Sequence, residues 1–125
     1  MRSITLEQFR QEIRAQGVSI EDVAFICPMC KTVQSARDLI KAGAGKTLDE
    51  VEKYLGFSCV GRFTNAGAFK KSAAPGRGCD WTLGGLFKIH TLEVVTEDGE
   101  HHARFELATP EQAQAHAAEV KPCAI

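Results

Sequence analysis

The chain is organised around residues 25–31, Phe-Ile-Cys-Pro-Met-Cys-Lys, which contain a Cys-x-x-Cys pair. Two later cysteines, Cys59 and Cys79, each lie in a glycine-containing segment that can bend sharply around an ion. Four thiolates fill the tetrahedral shell that Zn²⁺ prefers in a structural site and leave no open position for chemistry. The sequence therefore predicts one structural zinc site with Cys27, Cys30, Cys59 and Cys79 as ligands.

Other interpretations of these cysteines stay open. Cys59 and Cys79 could be small buried hydrophobes, as free cysteines often are. Cys27 and Cys30 could form a redox dithiol, although such pairs usually begin a helix, and the next predicted helix begins only at Ser35. The four histidines lack ligand spacing, and we expect surface or strand positions for His90, His101, His102 and His116.

Composition is that of an ordinary globular chain, with 44% hydrophobic and 25% charged residues among 125. The net charge of −1 gives no global attraction to nucleic acid or to anionic membranes. No apolar run approaches the roughly 20 residues of a membrane span, and the N-terminus does not read as a secretory signal. We therefore expect one zinc-stabilised domain, residues 1–120, with a disordered tail, 121–125, in the cytoplasm. Cys123 is left over from the metal site, and its role is open.

Capping patterns predict three helices, each beginning at a Thr or Ser and stopping at a Gly. They span residues 6–16, 35–43 and 47–56. Strand patterns occupy residues 23–26, 57–63, 86–96 and 101–107, with Asp98-Gly99 as a two-residue hairpin turn. A last helix after Thr109-Pro110 is rich in Ala and Gln, and we expect it to dock weakly because it has little apolar surface. The predicted fold is α+β: a zinc-ribbon-like antiparallel core, with two inserted small helices and an N-terminal helix packed across it.

A basic loop, residues 62–77, is a candidate for binding. It contains no acidic residue, and Phe63 and Phe69 are interleaved with its cations, which is one way to bind phosphates and stack bases. The basic residues are Arg62, Lys70, Lys71 and Arg77. The alternative is a solvated loop, and the acidity of the rest of the chain opposes a long nucleic-acid track. Trp81 is interpreted either as core packing against the metal site or as an exposed anchor for a partner protein.

The segments around the cysteines also carry a resemblance. Residues 27–35, 54–62 and 78–87 resemble a family of small phage and prophage proteins with no established function, and the resemblance covers roughly residues 5–116. It implies a phage gene product acting in the cytoplasm of a bacterial host, with the four cysteines as metal ligands. It implies no activity.

Three functions follow as expectations. The first is a non-enzymatic protein that binds a host macromolecule, as an inhibitor of a host defence complex of the anti-CRISPR type. The second is a nucleic-acid-binding zinc-ribbon protein that uses loop 62–77. The third is a Cys-x-x-Cys redox protein. Catalysis otherwise finds little support, because no nucleophile, base and orienting acid occur together.

Overall fold

The structure is a computed structural model that describes residues 2–67, 78–83 and 90–120. Its strands are β1 Arg2–Thr5, β2 Ala24–Ile26, β3 Val33–Ser35, β4 Leu92–Val95, β5 His101–Arg104 and β6 Glu106–Leu107. Its helices are α1 Leu6–Ala15, α2 Ala36–Lys41, α3 Leu48–Val51 and α4 Pro110–Val120, with 3₁₀ turns at Ile20–Asp22 and Val60–Arg62. The predicted α+β class is confirmed. None of the helices in the described segments is long and apolar enough to cross a membrane.

The strands form two three-stranded sheets. In the first sheet, β4 lies between β1, which is parallel to it, and β5, which is antiparallel. In the second sheet, β2 lies between β3 and β6 and is antiparallel to both. The expected antiparallel pairing therefore holds throughout the second sheet and between β4 and β5, whereas β1, a strand that the sequence did not predict, is parallel to β4. Strand β1 is four residues long and leads straight into a helix, so it shows no alternating pattern in the sequence.

Helix α1 begins where its capping sequence predicts. The backbone N–H of Gln8 donates to Oγ1 of Thr5 over 3.1 Å, and the backbone N–H of Thr5 donates to Oε1 of Gln8 over 2.9 Å. The chain leaves the helix at Gly17, whose φ of 69° favours glycine. Helix α2 is likewise confirmed after its cap at Ser35.

In the middle segment, the third predicted helix begins after its Thr47 cap but ends early, and the predicted strand over 57–63 is wrong. The helix itself is a single turn, Leu48–Val51. The chain then continues to Gly56 in tight turns, one of which is closed by a hydrogen bond from N of Tyr54 to O of Val51 at 2.9 Å. The strand predicted over 57–63 is absent, because residues 60–62 curl into a 3₁₀ turn closed by a bond from N of Arg62 to O of Cys59 at 3.0 Å. What remains of it is one β-bridge between Ser58 and Thr82.

The hairpin predicted at Asp98-Gly99 is present with a longer loop. The backbone N–H of Thr96 bonds to O of Glu100 at 3.0 Å, so the loop holds three residues and not two. Gly99 adopts a φ of 82°, as in a type I turn followed by a glycine bulge. Of the strand predicted over 86–96, the part at 86–89 lies outside the described residues.

The returning strand, predicted over 101–107, is divided between the sheets. β5 belongs to the first sheet and β6 to the second, and the residue between them, Phe105, has no exposed surface. The backbone N–H of Phe105 bonds to O of Gly56 at 2.8 Å, which joins this crossing point to the segment that precedes Cys59. The largest core cluster surrounds Phe105 and includes three of the metal-site cysteines.

Helix α4 docks against β2 and β3 through small residues. Ala113 and Ala117 are buried, and the side chain of Gln114 donates to the backbone O of Gln16 over 2.9 Å. The buried amide of Gln16 in turn bonds to both backbone groups of Ala24, N–H to Oε1 and Nε2 to O, each at 2.9 Å. The expectation of little apolar surface holds, since the buried face of α4 consists of alanines, whose small side chains let the backbones approach closely.

Candidate metal centre

The four cysteine side chains converge. All four Sγ atoms lie within 4.8 Å of one another. The Sγ atoms of Cys27 and Cys79 are 3.8 Å apart, and those of Cys30 and Cys59 are 3.7 Å apart. A tetrahedral shell with Zn–S bonds of about 2.3 Å places its sulfurs about 3.8 Å from one another. Two of the six S–S distances match this value, and the four cysteines lie close enough together to hold a metal ion.

The cluster is closed to solvent on most sides. Cys27, Cys59 and Cys79 have no exposed surface, and Cys30 is half-buried. Apolar side chains that include Trp81 and Phe105 belong to the same buried core cluster as Cys27, Cys59 and Cys79. Such an apolar shell excludes water from the site, as expected of a structural ion and not of a catalytic one.

The first two ligands come from the loop of the β2–β3 hairpin. The backbone N–H of Cys27 bonds to O of Thr32 at 3.1 Å, which closes the loop. Within it, N of Lys31 bonds to O of Cys27 at 2.9 Å, and Lys31 itself has a φ of 61°. This tight turn aims both thiols of the Cys-x-x-Cys pair at the same point.

The other two ligands come from segments that pair with each other. The backbone N–H of Cys59 bonds to O of Trp81 at 3.0 Å, and N of Leu83 bonds to O of Phe57 at 2.9 Å. The hydroxyls of Ser58 and Thr82 are 2.8 Å apart between these bonds. This short antiparallel contact fixes Cys59 beside the segment that contains Cys79.

Two glycines allow the backbones near these ligands to touch. A Cβ atom on Gly61 would lie 2.4 Å from N of Cys79, and one on Gly78 would lie 2.9 Å from N of Gly61. Gly78 also has a φ of 86°, which other residues rarely adopt. The glycines that flank Cys59 and Cys79 in the sequence are therefore required for close backbone approach.

A buried glutamine, Gln34, forms hydrogen bonds beside the cluster, and this role was not predicted from the sequence. Nε2 of Gln34 lies 3.4 Å from Sγ of Cys59 as a donor, while Oε1 accepts the backbone N–H of Val60 over 2.7 Å. Cys59 also accepts the backbone N–H of Cys79 over 3.3 Å. Donors of this kind stabilise a thiolate and orient it toward a metal. β3 is three residues long, so no alternation in the sequence marks Gln34 as inward-facing.

Thr32 links the hairpin loop to the last ligand. Its Oγ1 lies 3.1 Å from Sγ of Cys30 and accepts the backbone N–H of Gly78 at 3.1 Å. When Cys30 is a thiolate, the Thr32 hydroxyl can donate to the sulfur while it keeps the bond from Gly78. Thr32 is 5% exposed, so both bonds are shielded from water.

Protons compete with a metal for these sulfurs. Burial raises the pKa of the Cys79 thiol to about 12. Hydrogen bonding with Cys30 raises the pKa of Cys27, and the same contact lowers the pKa of Cys30. The four thiols therefore resist losing all their protons together, and a bound cation would balance the charge of four thiolates.

Of the four cations of the candidate binding loop, Arg62 lies within the described residues. Its side chain is exposed, and one guanidinium N–H donates to the backbone O of Asp80 over 2.7 Å. Lys70, Lys71 and Arg77 lie outside the described residues, as does Cys123, so the loop prediction and the role of Cys123 stay predictions.

Trp81 is a core residue. It is 7% exposed, and its ring stacks on Phe105 with the centroids 5.6 Å apart and the planes 30° from parallel. The interpretation as an exposed anchor is therefore wrong, because the ring is covered by the core beside the cysteine cluster.

The histidines do not join the cysteines. In the described part of the chain, the group that could hold a metal ion consists of the four cysteines alone. His116 on α4 is 2.5 Å from a carboxylate oxygen of Asp38, and His101 in β5 is 3.4 Å from Glu93.

A comparison with protein families places the chain in a family. The model of the VVA0879-like family matches residues 5–108, and the chain therefore belongs to this family. The match includes all four cysteines of the cluster. No curated protein and no solved structure was found to be similar to the chain.

Proposed function

We propose that this member of the VVA0879-like family is a zinc-stabilised binding protein. Its four cysteines, Cys27, Cys30, Cys59 and Cys79, would hold one structural Zn²⁺. The observation that supports this most is the mostly buried set of four sulfurs, which lie within 4.8 Å of one another. The bound ion would supply rigidity by fastening three distant segments of the chain together.

Ligand chemistry supports zinc as the ion. Thiolate ligands in a tetrahedral set favour zinc or iron over magnesium and calcium, which prefer oxygen. Hydrogen bonds to the sulfurs from Gln34 and from the backbone of Cys79 suit a permanent ion.

Metal analysis by mass spectrometry on freshly purified protein, with a count of reactive thiols, tests this part. We expect one zinc per chain and one reactive thiol, Cys123, since four of the five cysteines would be ligands. Iron at one per chain would replace zinc as the ion. A metal-free chain whose Cys27 and Cys30 cycle with oxidant would support the redox alternative instead.

We further propose that the protein is encoded by a phage or prophage, acts in the bacterial cytoplasm and binds a host macromolecule. Four thiolates would complete the shell of the ion and leave no coordination position for a substrate, which favours binding over catalysis. The resemblance of the cysteine segments to small phage proteins favours a host target, and inhibition of a defence complex of the anti-CRISPR type is the specific proposal.

A plating assay tests that proposal. A bacterial strain that carries an active CRISPR system and a phage matched by its spacers would be compared with and without expression of the chain. We expect expression to raise the plaque count toward that of a strain lacking the system. An unchanged plaque count, with folded protein present in the cells, would contradict the anti-CRISPR proposal.

Nucleic-acid binding through loop 62–77 is the second candidate, and the exposed guanidinium of Arg62 favours it. Phosphate contacts by Lys or Arg make binding strongly dependent on salt. Reversing the charge of Lys70 and Lys71 to Glu should abolish a salt-dependent gel shift with DNA or RNA if this candidate is correct. Absence of any shift with the unaltered chain at micromolar concentration would exclude it.

A further inference from the structure

A groove of about 590 Å³ is lined by residues of α1, the turn Ile20–Asp22 and α3. Its floor is apolar and includes Phe9, Ile13, Phe25 and Leu55. The rings of Phe9 and Phe25 contact each other there, with the centroids 6.2 Å apart. A volume of this size is large enough to accept several bulky side chains or a small organic molecule.

The side chain of Arg104 reaches into this groove from the end of β5. One of its guanidinium N–H groups donates to the backbone O of Ala103 over 2.9 Å, and the guanidinium carbon lies 6.0 Å from the centre of the Phe57 ring. Burial lowers the pKa of Arg104 below its usual value. A half-buried cation in an apolar groove carries a desolvation cost that an anion would offset.

Arg104 differs from two other arginines of the fold in its ion pairing. Arg2 pairs with Glu12 at 2.7 Å and also with Glu106, and Arg37 pairs with Asp22 at 2.8 Å and Glu21 at 3.1 Å. Among the described residues, the ion pairs do not include Arg104. The guanidinium therefore has donors available for a carboxylate that the described residues do not provide.

The mouth of the groove has the features of a protein contact surface. Ile20 lies at the rim and is 60% exposed, and among the described residues it alone is a large hydrophobic side chain with this much exposure. On the α3 side, Asp49, Glu52 and Lys53 form a charged rim around the apolar floor. An apolar centre surrounded by charged groups is the usual anatomy of a protein interface.

We propose that this groove docks a segment of a partner protein that places a bulky apolar side chain on the floor and a carboxylate on Arg104. Asp49 and Glu52 would repel a second acid at the α3 side, so the segment carries its acidic residue at the Arg104 end. The proposal rests on the proposed binding function and names the chemistry of the partner.

Selection from a random peptide display library on the purified full chain tests the proposal. We expect the enriched peptides to combine Asp or Glu with a neighbouring Phe, Leu or Trp. Since a hydrogen-bonded charge pair contributes about 1.5–3 kcal/mol, affinity measured by fluorescence polarisation should fall at least about tenfold in Arg104→Met. Arg104→Lys keeps the charge but not the planar fork, so it should bind with intermediate affinity.

Arg10→Met is the matched control, because Arg10 is exposed on α1 and does not line the groove. Arg10→Met should bind the selected peptides with the affinity of the unaltered chain. Ile20→Ser should bind them with lower affinity. Melting temperature and metal content establish that each variant is folded. Failure to enrich any peptide, enrichment of peptides without an acid, or equal affinity in folded Arg104→Met would overturn the proposal.

Host-protein capture separates this inference from the proposed function. If Arg104→Met retains a host partner as well as the unaltered chain does, the binding function stands and the groove proposal is overturned. If the selected peptides require Arg104 but no host protein is retained, the groove proposal is supported and host binding fails.

Discussion

Replacing Gly61 with Ala should damage the metal centre through steric contact alone. The added Cβ would lie 2.4 Å from N of Cys79, 2.6 Å from its O and 2.7 Å from C of Gly78. To restore an ordinary contact distance of 3.4 Å, the two backbones would have to move apart by 3.4 − 2.4 = 1.0 Å. Metal–ligand distances tolerate only about 0.2 Å, so the shift would displace the Cys79 sulfur from bonding distance.

We therefore expect Gly61→Ala to lower the free energy of unfolding by about 3 kcal/mol, at the upper end of overpacking costs. Zinc affinity should fall by about 10–100-fold, as for changes beside a metal ligand. The assays are denaturant unfolding of the zinc-loaded chain and competition with a chromogenic chelator.

Gly43→Ala is the control, because Gly43 has a φ of 89° but nothing within 4 Å of its added Cβ. It should cost about 1–2 kcal/mol through backbone conformation and leave zinc affinity unchanged. If Gly61→Ala binds zinc as tightly as Gly43→Ala does, the close approach of the two backbones is not required by the metal centre.

The remaining predictions concern the ligands and their support. Cys27→Ser and Cys79→Ser should lose zinc and about 10 kcal/mol of metal-linked stability, giving insoluble or protease-sensitive protein. Cys123→Ser should keep both the zinc and the stability. Normal melting of both ligand variants would contradict this prediction. Gln34→Leu leaves the backbone N–H of Val60 without its acceptor, so it should lower the free energy of unfolding by about 1–3 kcal/mol and weaken zinc binding. Gln11→Leu, at an exposed position, should change neither quantity. Unfolding and chelator titrations of the two variants in parallel measure both effects. Stability should depend on pH with opposite signs in the two forms. The zinc-loaded chain loses stability as acid protonates the thiolates. The folded zinc-free chain loses stability as pH rises from about 9 toward 12, because the folded pKa of Cys79 is raised. Unfolding curves across pH measure both trends, with the zinc-free chain kept folded by a stabilising osmolyte.

The sequence could predict the features that depend on local chemistry. The Thr5 cap, the glycine after α1 and the four-cysteine set each follow from a side chain acting on its neighbours or from ligand spacing. The curl after Cys59 could not be predicted, because residues 57–63 carry strand-forming side chains, and the contact of Gly61 with the Cys79 backbone overrides that preference. Arg104 and Gln34 likewise show no pattern, since their roles depend on residues far away in the sequence.

The position of the cysteines within the core has a consequence for metal removal. Three ligands belong to the same buried cluster as Phe25, Trp81 and Phe105, so the ion and the core would stabilise each other. The first sheet has its own cluster around Leu92, and α2 with α3 has another around Leu39. These two clusters contain no ligand, whereas the division of the 101–107 strand at Phe105 connects the first sheet to the cysteine cluster. We therefore expect chelation to release the cysteine segments first and to loosen the β5–β6 crossing, while amide exchange in α2 and β4 rises later. Simultaneous loss of protection in all these elements would mean that the metal holds the whole fold as one cooperative unit.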